Sequence, residues 1–165
     1  MPDVGSIVYY AGSGVCRIAE TKEMETAGAL RRYYVLTLLF KPASTLYVPF
    51  DSETLAARMV PLLKPEEIDA ALAKAASTEP DWERNYRRRS DVFRRTLLTT
   101  DRAELLFLIK AVYRHRRSLA ESGKILHTTD DYFLRDAEDL VYPEISHVLK
   151  MPLKDVSEWV LQKIL

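Results

Sequence analysis

Apolar and polar positions change their rhythm once along this chain. Through about the first 60 residues the apolar positions come in short runs and alternations, the pattern of strands. "SIVYYA" is a β-branched and aromatic run closed by "GSG", a turn signal at Gly12 and Gly14. "VCRIAETKEME" then alternates, which puts Val15, Arg17, Ala19, Thr21 and Glu23 on one side and Cys16, Ile18, Glu20 and Lys22 on the other. "TAG" breaks that run, "RRYYVLTLLF" resumes it, "KPAS" reads as a further turn, and "TLYVPF" as a short final strand. These connections are too short for βαβ crossovers, so the strands should form a strongly bent antiparallel sheet or barrel.

From Pro65 the period becomes helical. "KPEEIDAALAKAAS" opens with Pro and two Glu, residues suited to a first turn. In "STEPDW", Ser77 or Thr78 is the expected cap of a second helix, with Pro80 early in it and an end near Leu98. A third helix should start at Thr100 or Asp101 and stop at Gly123, and a fourth should cover "TTDDYFLRDAEDLVYPEISHVLK", bent or restarted at Pro143. In the last helix Val156, Trp159, Val160 and Ile164 recur at the spacing of a packed face. The expected fold class is α+β: an antiparallel β-barrel module over residues 1–60, then an all-helical domain over 61–165.

Composition excludes more than it identifies. No apolar run approaches the length of a membrane span, and the opening lacks a signal-peptide pattern, so a cytoplasmic protein is expected. The lone Cys16 and the scattered His115, His127 and His147 have no metal-ligand spacing, so neither a metal nor another cofactor is expected. Charge changes the picture. The chain is neutral overall, yet residues 80–117 hold eleven basic and five acidic side chains, between flanks that are net acidic. Such a segment suggests an anionic partner.

The densest part is "EPDWERNYRRRSDVFRR", residues 79–95, with six arginines. At 100° per residue Trp82, Tyr86, Arg89, Phe93 and Leu97 form one stripe, while Arg84, Arg88, Asp91 and Arg95 lie opposite and Arg87 and Arg94 on a shoulder. In the plain reading the aromatic stripe is core and the arginines a solvated face. Against that reading, Asp91 is the one acid opposite, and Arg102, Lys110, Arg114, Arg116 and Arg117 on the next helix add to the charge. An arginine face of this kind suits phosphates. Trp82, expected in the helix's first turn, suits stacking on a base; from spacing alone, a core or cap tryptophan is the commoner arrangement.

"VGSIVYYAGSGVCRI" resembles the opening of the CarD/CdnL family of bacterial transcription regulators, with Gly5, Ile7, Val8, Tyr9, Gly14, Val15 and Ile18 filling the pattern. "TLYVPFDS" is similar to that family's later strand and its Val-Pro step, and "DWERNYRRR" to its Trp-x-Arg-x-Tyr helix start. The resemblance implies a Tudor/SH3-like barrel that binds the RNA polymerase β subunit. It also implies a helical domain that contacts promoter DNA at the upstream edge of the melted bubble and stabilises the open complex. Carried over by position, the family's DNA-contacting tryptophan and its neighbouring basic positions correspond to Trp82, Arg84 and Arg87. Arg88 joins them as an expected phosphate contact, so the expected DNA-binding residues are Trp82, Arg84, Arg87 and Arg88. The family's arginines on the polymerase-binding face correspond here to Lys22 and Tyr47, and its Pro after "VVY" to Tyr10.

The expected action is therefore sequence-independent and non-enzymatic, by a monomer without a membrane partner. The alternative is a protein–protein interaction module with no direct DNA contact, expected if Trp82 is buried and the arginines pair with acids of residues 130–144. Catalysis finds little support, because Cys16 has no His or Asp near it in sequence and "GSG" has no helix following it.

Overall fold

The computed structural model describes residues 2–165, and within them five strands pair antiparallel in the order β4-β3-β2-β1-β5. They are β1 (Ile7–Tyr10), β2 (Gly14–Thr26), β3 (Ala29–Leu38), β4 (Lys41–Pro49) and β5 (Met59–Pro61), with a single helical turn, α1 (Glu53–Ala56), before the last. Period-2 burial makes the core: Val8, Tyr10, Cys16, Ile18, Tyr34, Leu36 and Val48 gather on one face, and Phe50 stacks on Tyr34 at 4.0 Å. Burying one side chain of the size of Ile18 or Leu36 contributes about 1.5–3 kcal/mol.

Three local features depart from the alternation read in the sequence. The register of β2 on β3 shifts between Ile18 and Glu20, a bulge at Ala19. One extra residue inverts the side-chain order beyond it, so Lys22 joins the face of Val15 and Arg17 rather than that of Cys16 and Ile18. "KPAS" is not a turn: Leu39 and Phe40 turn the chain, and β4 already begins at Lys41 with Leu38↔Lys41 paired. "TLYVPF" is not the last strand either. β5 pairs with β1 (Tyr9↔Val60) and closes the order, a strand too short to leave a periodic signal.

The β2–β3 hairpin turns on Ala27 and Gly28, at φ 50° and 77°. Two positive φ values match the right-handed twist of the flanking strands, and glycine meets that demand without a steric cost while Ala27 does not.

The chain divides into two compact units, residues up to Leu62 and Leu63–Leu165. The second contains α2 (Pro65–Ser77), α3 (Tyr86–Leu97), α4 (Arg102–Glu121), α5 (Thr128–Leu149) and α6 (Leu153–Ile164). The architecture is α+β. In α2, Pro65 takes the first position and Glu67 accepts the Lys64 amide at 2.7 Å, while Ile68, Leu72 and Ala75 form the buried face. Asp101 caps α4 by accepting the Ala103 amide, and Gly123 follows its end at φ 67°. α5 runs through Pro143 without restarting. Val156, Val160 and Ile164 of α6 are buried, with Trp159 half-buried beside them. Among the described residues no helix is long and apolar enough to cross a membrane.

Candidate nucleic-acid interface

The arginine-rich segment is shorter as a helix than its wheel suggests. Ser77 and Thr78 do not cap α3; their hydroxyls donate to the Lys74 carbonyl and close α2 behind them. Residues 78–85 then run without helix or strand, and Asn85 caps α3 by accepting the Arg88 amide at 3.0 Å. Trp82 therefore stands in this strap, three residues before the cap, and not in the first turn of the helix.

The strap is tied down by cations at both ends. The Lys110 ammonium, wholly buried, donates to the carbonyls of Ala75, Ala76 and Thr78 at 2.7–3.0 Å. At the other end Arg89, 7% exposed, donates through Nε and Nη2 to both oxygens of Asp130 at 2.9 Å and through Nη1 to the Glu83 carbonyl at 3.0 Å. The planar fork lets one arginine hold a carboxylate of α5 and the strap's backbone together, which a lysine could not do. Arg114 pairs with Glu79 in the strap as well.

Several of the cations read as unpaired surface charge thus have partners within the fold, some of them buried. Arg102 is buried against Glu144 at 3.0 Å, and Arg116 meets Asp131 at 2.8 Å. Burial pushes the Glu144 carboxyl up, while Arg102 and the Leu63 amide at 2.8 Å pull it back. The expectation that α4 adds unpaired charge is corrected for these residues: their partners lie 15 to 42 residues away, beyond any helical spacing. Arg117 stays exposed.

What remains outside is a smaller set. Arg84, Arg87 and Arg88 are all exposed, and among the described residues their side chains have no ion pair. Arg94 leans on Asp91 in an exposed pair at 3.2 Å, worth little by itself. Trp82 is half-buried. Its ring stacks on His115 with centroids 3.8 Å apart and planes 10° apart, and Phe93 meets it edge-on at 6.0 Å. The Arg89 guanidinium lies 4.8 Å from the same ring. Trp82 and Arg84 line one open cavity of about 620 Å³ with His115, His127 and the start of α5. Arg87 and Arg88 lie outside that cavity, on the exposed side of α3.

In the β unit Lys22 and Tyr47 are both exposed, on strands that flank β3. Lys22 pairs with Tyr33 and Tyr47 with Val35, and those partners are two apart on β3, so both side chains share a face. The bulge at Ala19 is what brings Lys22 there. Tyr9, Tyr10, Tyr33 and Tyr34 are all buried packing residues. The Cys16 thiol donates to the Gly14 carbonyl and is a buried core residue, and burial pushes its pKa up to about 12.

Sequence reasoning gave no individual role to His115 or Lys110, and reached Asp130 only among the acids of residues 130–144 in the interaction-module alternative. His115 and Asp130 meet the arginine segment only through the tertiary fold, and Lys110 looked like one more basic residue on a basic helix.

Residues 3–61 match the family described as the CarD-like/TRCF RID domain, a match that covers the β unit. No curated protein matches the chain at a significant level.

Proposed function

Because the chain carries a CarD-like/TRCF RID domain, the mark of an RNA polymerase-interacting, transcription-related protein, we propose that it is a bacterial regulator of promoter opening. In this reading the β unit docks on the polymerase β subunit through the face that holds Lys22 and Tyr47. The helical unit meets promoter DNA at the upstream edge of the bubble, and the protein acts as a cytoplasmic monomer. The action is contact without bond-making, so no catalytic group is needed.

One observation carries the DNA contact: Arg84, beside the half-exposed Trp82, and Arg87 and Arg88, on the exposed side of α3, are cations with no ion pair among the described residues. Phosphate contacts from these arginines would position the protein without reading sequence. Stacking of Trp82 on an unstacked step would contribute on the order of 1–3 kcal/mol. A contact made only in the open form shifts the open/closed equilibrium by that amount, about five- to a hundred-fold. Docking on polymerase raises the local concentration, so affinity for free DNA can be weak.

The interaction-module reading draws on the pairing of Arg89, Arg102 and Arg116 with Asp130, Glu144 and Asp131 and on the stacking of Trp82 against His115. The lifetime of open complexes formed by cognate polymerase separates the two. Trp82→Ala should bind polymerase normally and lose about five- to a hundred-fold of the lifetime gained with wild type. Equal lifetimes with and without the protein, at saturating polymerase binding, would leave the interaction module as the function.

A further inference from the structure

Trp82 has no helix or strand to set its ring, since residues 78–85 form neither. Its orientation therefore comes from its three ring contacts. Two of them serve other purposes: Phe93 is buried in the core and also meets Phe133, and Arg89 is committed to Asp130 and the Glu83 carbonyl. The third is His115, half-buried on α4, which lies nearly parallel to the indole at 3.8 Å. Among the described residues its side chain makes no hydrogen bond and no ion pair, so the stack is its principal specific contact.

We propose that His115 is the positioning residue of the Trp82 contact, a flat ring on α4 that fixes the plane in which the indole is offered to DNA. The proposal rests on Trp82 meeting DNA, but the orientation itself can be read without DNA. An offset or parallel aromatic pair adds to area burial by a modest amount, enough to favour one ring orientation over the several a strap residue can otherwise take.

The charges around His115 fit a neutral ring. Arg89 faces it from α3 and Asp130 from α5, while Arg84 of the strap and His127 before α5 line the same cavity. On its own helix Arg114 and Arg116 are engaged by Glu79 and Asp131. Burial holds the imidazole below its ordinary range; Asp130 pulls it back up, and Arg89, a smaller influence, pushes it down. At neutral pH the stack is thus between two uncharged rings. An imidazolium quenches a neighbouring indole, so protonation gives the contact a spectroscopic signature.

The test uses the full chain with Trp159→Phe, which leaves Trp82 as its one tryptophan. Trp82 emission should fall as pH drops below the ordinary histidine range, and His115→Phe should abolish that fall. Acrylamide should quench Trp82 more strongly in His115→Ala than in the parent, with His115→Phe restoring the parent value. In open-complex lifetimes His115→Ala should lose about two- to tenfold and His115→Phe should recover most of it. Unchanged acrylamide access and an unchanged pH profile in His115→Ala would overturn the proposal whatever DNA does. So would a lifetime that depends on Trp82 but not on His115. If the fluorescence signatures appear and neither Trp82→Ala nor His115→Ala alters the lifetime, the orienting role stands and the DNA reading of Trp82 fails.

Discussion

The two units build their interiors from different materials. Among the described residues of the β unit every buried side chain is apolar, aromatic or the Cys16 thiol, whereas the helical unit buries Arg89, Arg102, Lys110, Asp130 and Glu144. A charge inside a fold is tolerated when it has partners there, and each of these does: Arg89 with Asp130, Arg102 with Glu144, and Lys110 with three backbone carbonyls. The difference teaches how to read a basic segment. Counting arginines measures charge along the chain, but only burial separates those that hold the fold from those left for a partner. In residues 80–117 the fold claims Arg89, Arg102 and Lys110 outright and leaves Arg84, Arg87 and Arg88 exposed.

The strongest way to break the comparison is to remove one of the internal cations. Arg89→Ala strands Asp130, which is 2% exposed in its side chain, and frees the strap end at Glu83. Truncating one partner of a buried pair typically costs about 3–5 kcal/mol. Urea denaturation should show a loss of that size. A loss below about 0.5 kcal/mol would class Arg89 with the surface arginines and dissolve the distinction.

These contrasts explain what was legible in the sequence. The β unit could be read because its signals are local: the Gly12 and Gly14 turn, the alternation of β1 and β2, and the "VGSIVYYAGSGVCRI" pattern that the family match supports. Its errors were local too, since a bulge at Ala19 and the three-residue β5 alter side-chain order or pairing without altering composition. Helix positions in the second unit were legible from Pro65, Asp101 and Gly123. The strap was not, because Pro80 followed by Asp and Trp reads equally as a helix start and as extended chain. The individual arginine pairings were not readable, since acids of residues 130–144 were expected as partners only as a group and only in the interaction-module alternative. Asp130 lies 41 residues from Arg89, and no periodic pattern reports a contact at that separation.

A gentler variant sharpens the other side of the comparison. Arg87→Gln and Arg88→Gln together remove two exposed cations that have no ion pair among the described residues, so stability should change by no more than about 0.5 kcal/mol. If each meets a phosphate, the slope of log affinity for DNA against log salt should become shallower by about 0.9 per arginine removed, measured on the polymerase–promoter complex. An unchanged slope would place the phosphate contact elsewhere on the helical unit.

The smallest effect concerns an acid that is only partly inside. Glu138 of α5 accepts a hydrogen bond from the Tyr113 hydroxyl at 3.0 Å and is half-buried. Burial pushes its carboxyl above the ordinary 4.5, while the Tyr113 hydrogen bond and Arg116 pull it down and Asp139 and Asp131 push it further up. A carboxyl raised by folding binds its proton more tightly in the native state than in the unfolded chain. Its contribution to stability is therefore fully present below pH 4.5 and is lost as pH rises through the folded value. Glu138→Gln keeps an oxygen acceptor for Tyr113 and removes the titration. The wild type should thus lose stability relative to the variant as pH rises from roughly 4 to 8, read as the difference in urea midpoints. A difference that stays flat across that range would show that Tyr113 and Arg116 offset the burial of Glu138 completely.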